Sequence, residues 1–299
     1  MQSVSHRTLG VGVFLALLSN LLFASFYPYS GWLAPLSGTD VFVWRVVLMC
    51  AVIFLYLLLS GQWSVILADL RSYAKKKQLI WLVAPTPIML SQMWLFMWAP
   101  LNGEGVAVAM GYFLLPLVLV LVGCWLGEQL AGLQKLAVLL AGIGVGAEIL
   151  QGGSLSWATF WVCLTYPVYY VVRRKQGVRA VTGLFVDTLV FLPIGLVLLV
   201  IKPSLTTQIG GVLMMAKVVG LGALSVAAFL ANLQAMRMLP MSLFGMLSYL
   251  EPLLLFVVAI TLLGEPVTGQ MLFSYGFIWL GIVCLLMQGV VASRKKYGR

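Results

Sequence analysis

Charge is what this chain has least of. Only 9% of its 299 residues are Asp, Glu, Lys or Arg, against 62% hydrophobic. A soluble domain carries roughly 25% charge to cover its surface, so the scarcity excludes a water-solvated globule and makes lipid the main solvent. Histidine is almost missing: His6, in the N-terminal tail, is the single one. That count excludes histidine-rich metal chemistry. Cysteine is limited to Cys50, Cys124, Cys163 and Cys284, with no CxxC spacing. Each falls inside a predicted helix and reads as a small buried apolar residue, which argues against a disulfide framework or a metal site. No nucleotide-binding motif is present, and no small-residue cleavage site follows the first apolar run from Leu9. That run is therefore expected to be a span rather than a cleaved signal.

What the chain does have is long apolar runs. Crossing the hydrocarbon takes about 20 apolar residues per helix. Ten windows qualify: 9–28, 41–60, 79–99, 106–126, 133–150, 155–172, 182–201, 218–236, 242–263 and 271–291. The short connections between them leave no room for a soluble domain, so residues 1–299 are expected to form a single all-α polytopic domain. The net charge of +10 is confined to the flanks of these spans, chiefly Arg71/Lys75/Lys76/Lys77, Arg173/Arg174/Lys175/Arg179 and Arg294/Lys295/Lys296/Arg299. With both termini cytoplasmic, fifteen of the 18 Lys and Arg lie on cytoplasmic segments. The positive-inside rule thus sets the orientation and points to a bacterial inner membrane. The basic balance reports topology and attraction to anionic lipid, and gives no sign of a nucleic-acid partner.

Two segments share one signature. Tyr112 and Tyr249, Gly127 and Gly264, Glu128 and Glu265, Gly132 and Gly269, and Gly144 and Gly281 are each 137 residues apart. That spacing predicts a module used twice, over 9–150 and 155–291. Five spans per copy is an odd number, so the copies must have opposite orientations. An inverted five-plus-five repeat is a known way to build a transporter. Pro116 and Pro252 lie near the middle of spans four and nine, where a proline removes one backbone bond and frees the carbonyl four residues earlier. The freed carbonyls would be those of Tyr112 and Ser248. Both prolines are expected to kink their helices, either for packing or to line a central cavity. The Leu-Gly-Glu ends read as structural turns at the membrane boundary. Gly142, Gly144 and Gly146 suit close helix packing.

Ionisable groups at membrane depth each need a reason. Glu251 sits centrally in span nine, with Ser248 one turn away as a possible hydrogen-bonding neighbour. It is either protonated and buried or exposed to a cavity as a substrate contact or proton site. Tyr249, two positions away, would face the opposite side of an ideal helix. Asp187 can pair with Arg173 or its basic neighbours, or act as a gate on the inner side. Glu148 is expected to snorkel. Arg45, a turn inside span two, can snorkel too, attract an anionic substrate or pin neighbouring helices. Trp94 and Trp98 share a face at four-residue spacing. Trp94 is too deep for an interfacial belt, which leaves a cavity or packing position. Gln92, Asn20 and Asn232 are candidate polar contacts, and Tyr169 a further aromatic one.

The order and spacing of these features resemble the drug/metabolite transporter superfamily, in particular its EamA-type, RarD-like branch. The resembling stretches are Trp94–Ala99, Gly111–Phe113 with Pro116, Tyr169 through Lys175, Thr182–Leu184, the Phe191–Pro193 stretch around Asp187, Tyr249, Pro252 and Gly264-Glu265. They run along nearly the whole chain. The chain departs from the branch at Leu115, where Asn precedes the first proline. It also departs at Glu251, where Gly precedes the second, and at Trp44-Arg45, where the branch has His-Arg. The resemblance implies export of a small organic solute, often amphipathic.

The expected function is a secondary, gradient-driven transporter exporting a metabolite or drug-like compound by alternating access, with no cofactor and with protons as a possible coupling partner. Glu251, Tyr112, Tyr249, Trp94, Trp98, Gln92, Asn20, Asn232 and Tyr169 are its candidate substrate contacts. Arg45, Asp187 and Arg173 are its candidate gate or charge partners. A lipid flippase or scramblase is the alternative. A membrane-embedded enzyme is disfavoured, because catalysis needs clustered reactive groups and the carboxylates here are scattered.

Overall fold

The computed structural model describes residues 6–125, 130–150, 156–239, 244, 247–264 and 266–297. Gly127, Glu128 and Glu265 lie outside the described residues, as do the side chains of Pro116, Cys124 and Glu148. The described elements are helical: α1 (His6–Ala24), α2 (Phe26–Trp32), α3 (Gly38–Leu59), α4 (Trp63–Lys75), α5 (Leu79–Val83), α6 (Thr86–Trp98), α7 (Gly105–Trp125), α8 (Gly132–Leu150), α9 (Trp157–Gln176), α10 (Ala180–Ile201), α11 (Ser204–Thr207), α12 (Val212–Met238), α13 (Leu250–Thr261) and α14 (Gly269–Tyr297). Five stretches are long and apolar enough to cross a membrane: Leu9–Trp32, Gly38–Leu59, Leu79–Leu101, Ala180–Ile201 and Val212–Met238. Shorter apolar stretches lie at Gly105–Leu119, Gly132–Ala147, Leu250–Thr261 and Gly269–Cys284. Large apolar side chains such as Phe14, Leu59, Val200 and Val212 are exposed. A water-solvated surface does not tolerate so many apolar side chains, whereas a lipid-facing one requires them.

Local chemistry explains where the helices start and stop. Ser37 caps α3, its hydroxyl accepting from the Asp40 N–H at 3.2 Å, and Gly61 leaves that helix at φ 65°. The last turn of α9 carries Arg173, Arg174 and Lys175, cations placed where the helix dipole favours them. Gly177 then closes it at φ 67°.

Three predicted spans are not single helices. Span one breaks at Ser25, between α1 and α2, and span three at Ala84-Pro85, between α5 and α6. In span nine the Ser248 N–H bonds to the Phe244 carbonyl at 2.9 Å, a turn follows at Ser248 and Tyr249, and α13 begins at Leu250. Pro252 therefore does not kink the middle of a helix. It occupies the first turn of one, where its missing N–H costs nothing because first-turn N–H groups lack intrahelical partners anyway.

Packing divides the chain into two compact units. The first comprises Met1–Leu17, Glu104–Pro167 and Ala235–Arg299, and the second Leu18–Gly103 and Val168–Gln234. Each draws on both sequence halves. In the second unit α3 packs on α10 and on α6. In the first, α7 packs on α13 and α8 on α14. The α8–α14 contact is reciprocal. A Cβ on Gly144 would lie 2.6 Å from the Ser274 carbonyl oxygen, and one on Gly281 would lie 2.9 Å from that of Ala137. Ala137 and Ser274, like the two glycines, are 137 residues apart. Because Gly144 faces Ser274 while Ala137 faces Gly281, the helices run antiparallel. Gly142 and Gly146 have nothing within 4 Å of a would-be Cβ, so of Gly142, Gly144 and Gly146 only Gly144 makes the expected close approach.

Candidate functional site

The second unit holds a buried polar cluster around Asp187, which is 0% exposed on α10. The Arg173 guanidinium on α9 forms an ion pair with it through Nη2 and Oδ1. Thr86, the first residue of α6, donates to Oδ1 at 2.6 Å, and the Tyr169 hydroxyl donates to Oδ2 at 3.0 Å. Three groups from two other helices thus meet at one carboxylate. Burying two charges costs several kcal/mol per ion unless the remaining lone pairs and protons are satisfied, and here the carboxylate has three donors. Arg173 also donates Nη1 to the Leu82 carbonyl at 2.9 Å and to Gln176 Oε1 at 2.8 Å. Gln176 in turn donates Nε2 to the Trp81 carbonyl at 2.5 Å.

A second layer of contacts surrounds this cluster. The Tyr73 hydroxyl on α4 donates to the Gln176 carbonyl at 2.5 Å. Burial, with Asp69 nearby adding to it and Arg173 opposing it, holds that phenol above its ordinary pKa. The phenol therefore stays protonated, and a donor, at neutral pH. Asp69 accepts from Arg179 at 2.8 and 3.0 Å and from Thr182 at 2.6 Å.

Arg45 does not snorkel. It is 1% exposed, donates Nε to Ser225 Oγ at 2.7 Å, and lays its guanidinium 4.3 Å from the Phe26 ring centroid and 5.6 Å from that of Phe229. Two aromatic faces compensate the lost hydration through their quadrupoles. Arg45 on α3 thereby ties α2 to α12, the helix-pinning reading. Nearby in chain terms, Lys202 reaches Asp40 at 2.8 Å.

The remaining predicted contacts separate by unit. In the second unit Asn20, Gln92 and Asn232 are buried. Asn232 accepts from the Tyr170 hydroxyl at 3.4 Å and lies 3.5 Å from Ser19 Oγ. Trp94 and Trp98 stack with centroids 5.4 Å apart, and the Trp94 indole donates to Thr39 Oγ1 at 3.0 Å. Tyr169, read from sequence as a substrate contact, places its hydroxyl on Asp187. In the first unit Tyr112 is buried with its ring 6.0 Å from Tyr166. Tyr249 and Glu251 are both buried, on either side of the start of α13. Tyr249, the residue before α13, keeps helical dihedrals (φ −69°, ψ −17°), so the helix start does not turn it toward the face of Glu251. Ser248 does not bond Glu251: its hydroxyl donates to the Phe244 carbonyl at 2.9 Å. Among the described residues no hydrogen bond or ion pair engages the Glu251 carboxylate, and the Tyr249 hydroxyl has no partner.

Sequence reasoning missed Thr86, Gln176 and Ser225. Thr86 had a signal, since the run Pro85-Thr86-Pro87 inside an apolar window marks a helix break. Gln176 and Ser225 had none, because their partners come from elements distant in the chain.

Interrupted apolar helices around buried polar groups mark a multi-pass membrane protein. The chain is 37% identical to an "uncharacterized transporter" of Haemophilus influenzae, over 95% of this chain and 96% of the relative. It is 37% identical to the "chloramphenicol-sensitive protein RarD" of Pseudomonas aeruginosa, over 93% and 94%. Protein RarD of Escherichia coli is 27% identical over 95% and 96%. A crystal structure with 19% identity superposes at a TM-score of 0.61, covering 93% of this chain and 98% of that one, a likeness of fold alone. No family model matches. The chain belongs to the RarD-like family of drug/metabolite transporters.

Proposed function

We propose that this protein is a gradient-driven secondary transporter that exports a small organic solute across the bacterial inner membrane by alternating access. The observation that carries this reading is the break before α13. Glu251, buried and without a partner among the described residues, sits there beside Tyr249, whose hydroxyl is also unpartnered. A carboxylate at membrane depth is costly and marks a transport pathway by default. Discontinuous helices are the usual way transporters expose polar backbone to a solute or ion. In this reading Glu251 takes up a proton or the cationic group of the solute, and Tyr249 and Tyr112 supply aromatic contacts. Asn20, Gln92, Asn232, Trp94 and Trp98 give specificity.

The reading also includes ten spans with both termini inside, arranged as an inverted repeat. The reciprocal Gly144–Ser274 and Ala137–Gly281 contacts support it, because two-fold related copies make such pairs as a matter of symmetry. The test is uptake by proteoliposomes of a solute panel, with and without a pH gradient. The Pseudomonas relative's name makes chloramphenicol the first compound to include. Wild-type flux should rise with the gradient, and Glu251→Gln should abolish that dependence. Equal flux with and without a gradient would remove the proton from the mechanism.

A further inference from the structure

Span three is interrupted where α5 meets α6. Pro85 has no N–H, so the Trp81 carbonyl lacks the donor that a continuous helix would supply. Gln176 Nε2 supplies it instead, at 2.5 Å. The next carbonyl, of Leu82, takes Arg173 Nη1 at 2.9 Å. Arg173 and Gln176 are three residues apart on α9 and therefore share one face. They are also bonded to each other.

The same guanidinium holds Asp187, and Asp187 holds Thr86 at the start of α6. One turn of α9 thus grips both sides of the break. It holds α5 by two backbone carbonyls and α6 by a carboxylate bridge. Besides these bonds α5 packs on α4 and α10, but its own buried surface is small. Of its five residues only Leu82 is buried, and Ile80 is 87% exposed.

Stability alone is a weak reason for this arrangement, since replacing a buried ion pair with apolar side chains is often neutral or better. What charges provide here is joint release. If the last turn of α9 shifts, Trp81 and Leu82 lose their donors together. The Trp81 bond lies at an exposed position and the Leu82 bond is buried, so it is the Leu82 carbonyl whose release requires that water enter the break. Opening and wetting are therefore one event.

We propose that α5 is a movable segment hinged at Ala84-Pro85, and that Arg173 and Gln176 are the latch that holds it closed. The latch lies beside the basic runs Lys75–Lys77 and Arg173–Lys175, so it gates the end of the protein that those residues mark. The proposal rests on the transporter reading and names its moving part.

Amide hydrogen exchange on the full-length protein in lipid nanodiscs tests it without any solute, so the outcome is independent of the flux assay. Amides of 79–86 should exchange faster than those of α3 and α12 in the wild type. Gln176→Leu and Arg173→Met should each accelerate them about tenfold or more, leaving α3 and α12 unchanged. Pro85→Ala restores the missing N–H, so it should slow exchange at 79–86 and make Gln176→Leu silent in that background. If Arg173→Met does not fold, the Gln176 and Pro85 variants still decide the matter. Unchanged exchange in Gln176→Leu, an increase spread evenly over all helices, or a full Gln176→Leu effect in the Pro85→Ala background would each overturn the latch.

Discussion

Removing one partner of the Arg173–Asp187 pair should cost more than removing both. Asp187→Leu leaves a guanidinium buried with no counter-charge, a situation worth about 3–5 kcal/mol of destabilisation. Arg173→Met together with Asp187→Leu should recover most of that loss, read as the midpoint of thermal unfolding in detergent. Equal losses for the single and double variants would show the pair to be uncoupled. Arg45→Lys should also destabilise, by about 1–2 kcal/mol, because an ammonium cannot keep the Nε bond to Ser225 while lying over Phe26. These two arginines show what sequence could and could not convey. Asp187 needed a cation and Arg173, Arg174 and Lys175 lay one short loop away, so charge balance pointed to that cluster, and the folded contact between α9 and α10 chose Arg173 from it. For Arg45 the sequence offered no acidic partner, and its compensation by two rings and a hydroxyl from α2 and α12 depends on packing that no local pattern encodes.

At the scale of elements, the α8–α14 contact makes a sharp distinction among glycines. Gly144→Ala or Gly281→Ala would drive a methyl group into a backbone carbonyl, and over-packing of this kind costs about 1–3 kcal/mol. Gly142→Ala meets open space and should stabilise α8 slightly, by up to about 1 kcal/mol, through helix propensity. Unfolding midpoints of the three variants give the comparison directly. The repeated glycines at 137-residue spacing were visible in the sequence, and their contact matches that spacing. Apolar windows located the spans but not their breaks. A hydropathy average cannot tell a continuous helix from two collinear ones, and the difference rests on single residues such as Pro85 and on which N–H groups find partners. Pro252 shows the same limit: its presence was plain, yet its role depended on α13 starting two residues before it.

Across the whole molecule, exposed apolar side chains, basic flanks and RarD-like relatives all describe one membrane-embedded transporter. Orientation can be measured with single cysteines in a background lacking the four natural ones. Cysteines in place of Lys76 and Arg174 should react with impermeant maleimide only after inner-leaflet access, and one in place of Lys217 should react from outside. Labelling of all three from the same side would reject the topology.

The division into units has a consequence for how the protein is made. Helix α8 emerges from the ribosome long before α14, with the core of α9, α10 and α12 synthesised in between. Until α14 arrives, the face of α8 that carries Gly144 has no mate, and a small-residue face in lipid is an invitation to the wrong helix. The first unit therefore cannot be completed co-translationally in order. It must be held open, by the insertion machinery or by lipid, until one of its earliest helices can dock with a much later one. A chain truncated before Gly269 should insert yet remain a substrate for membrane proteolysis.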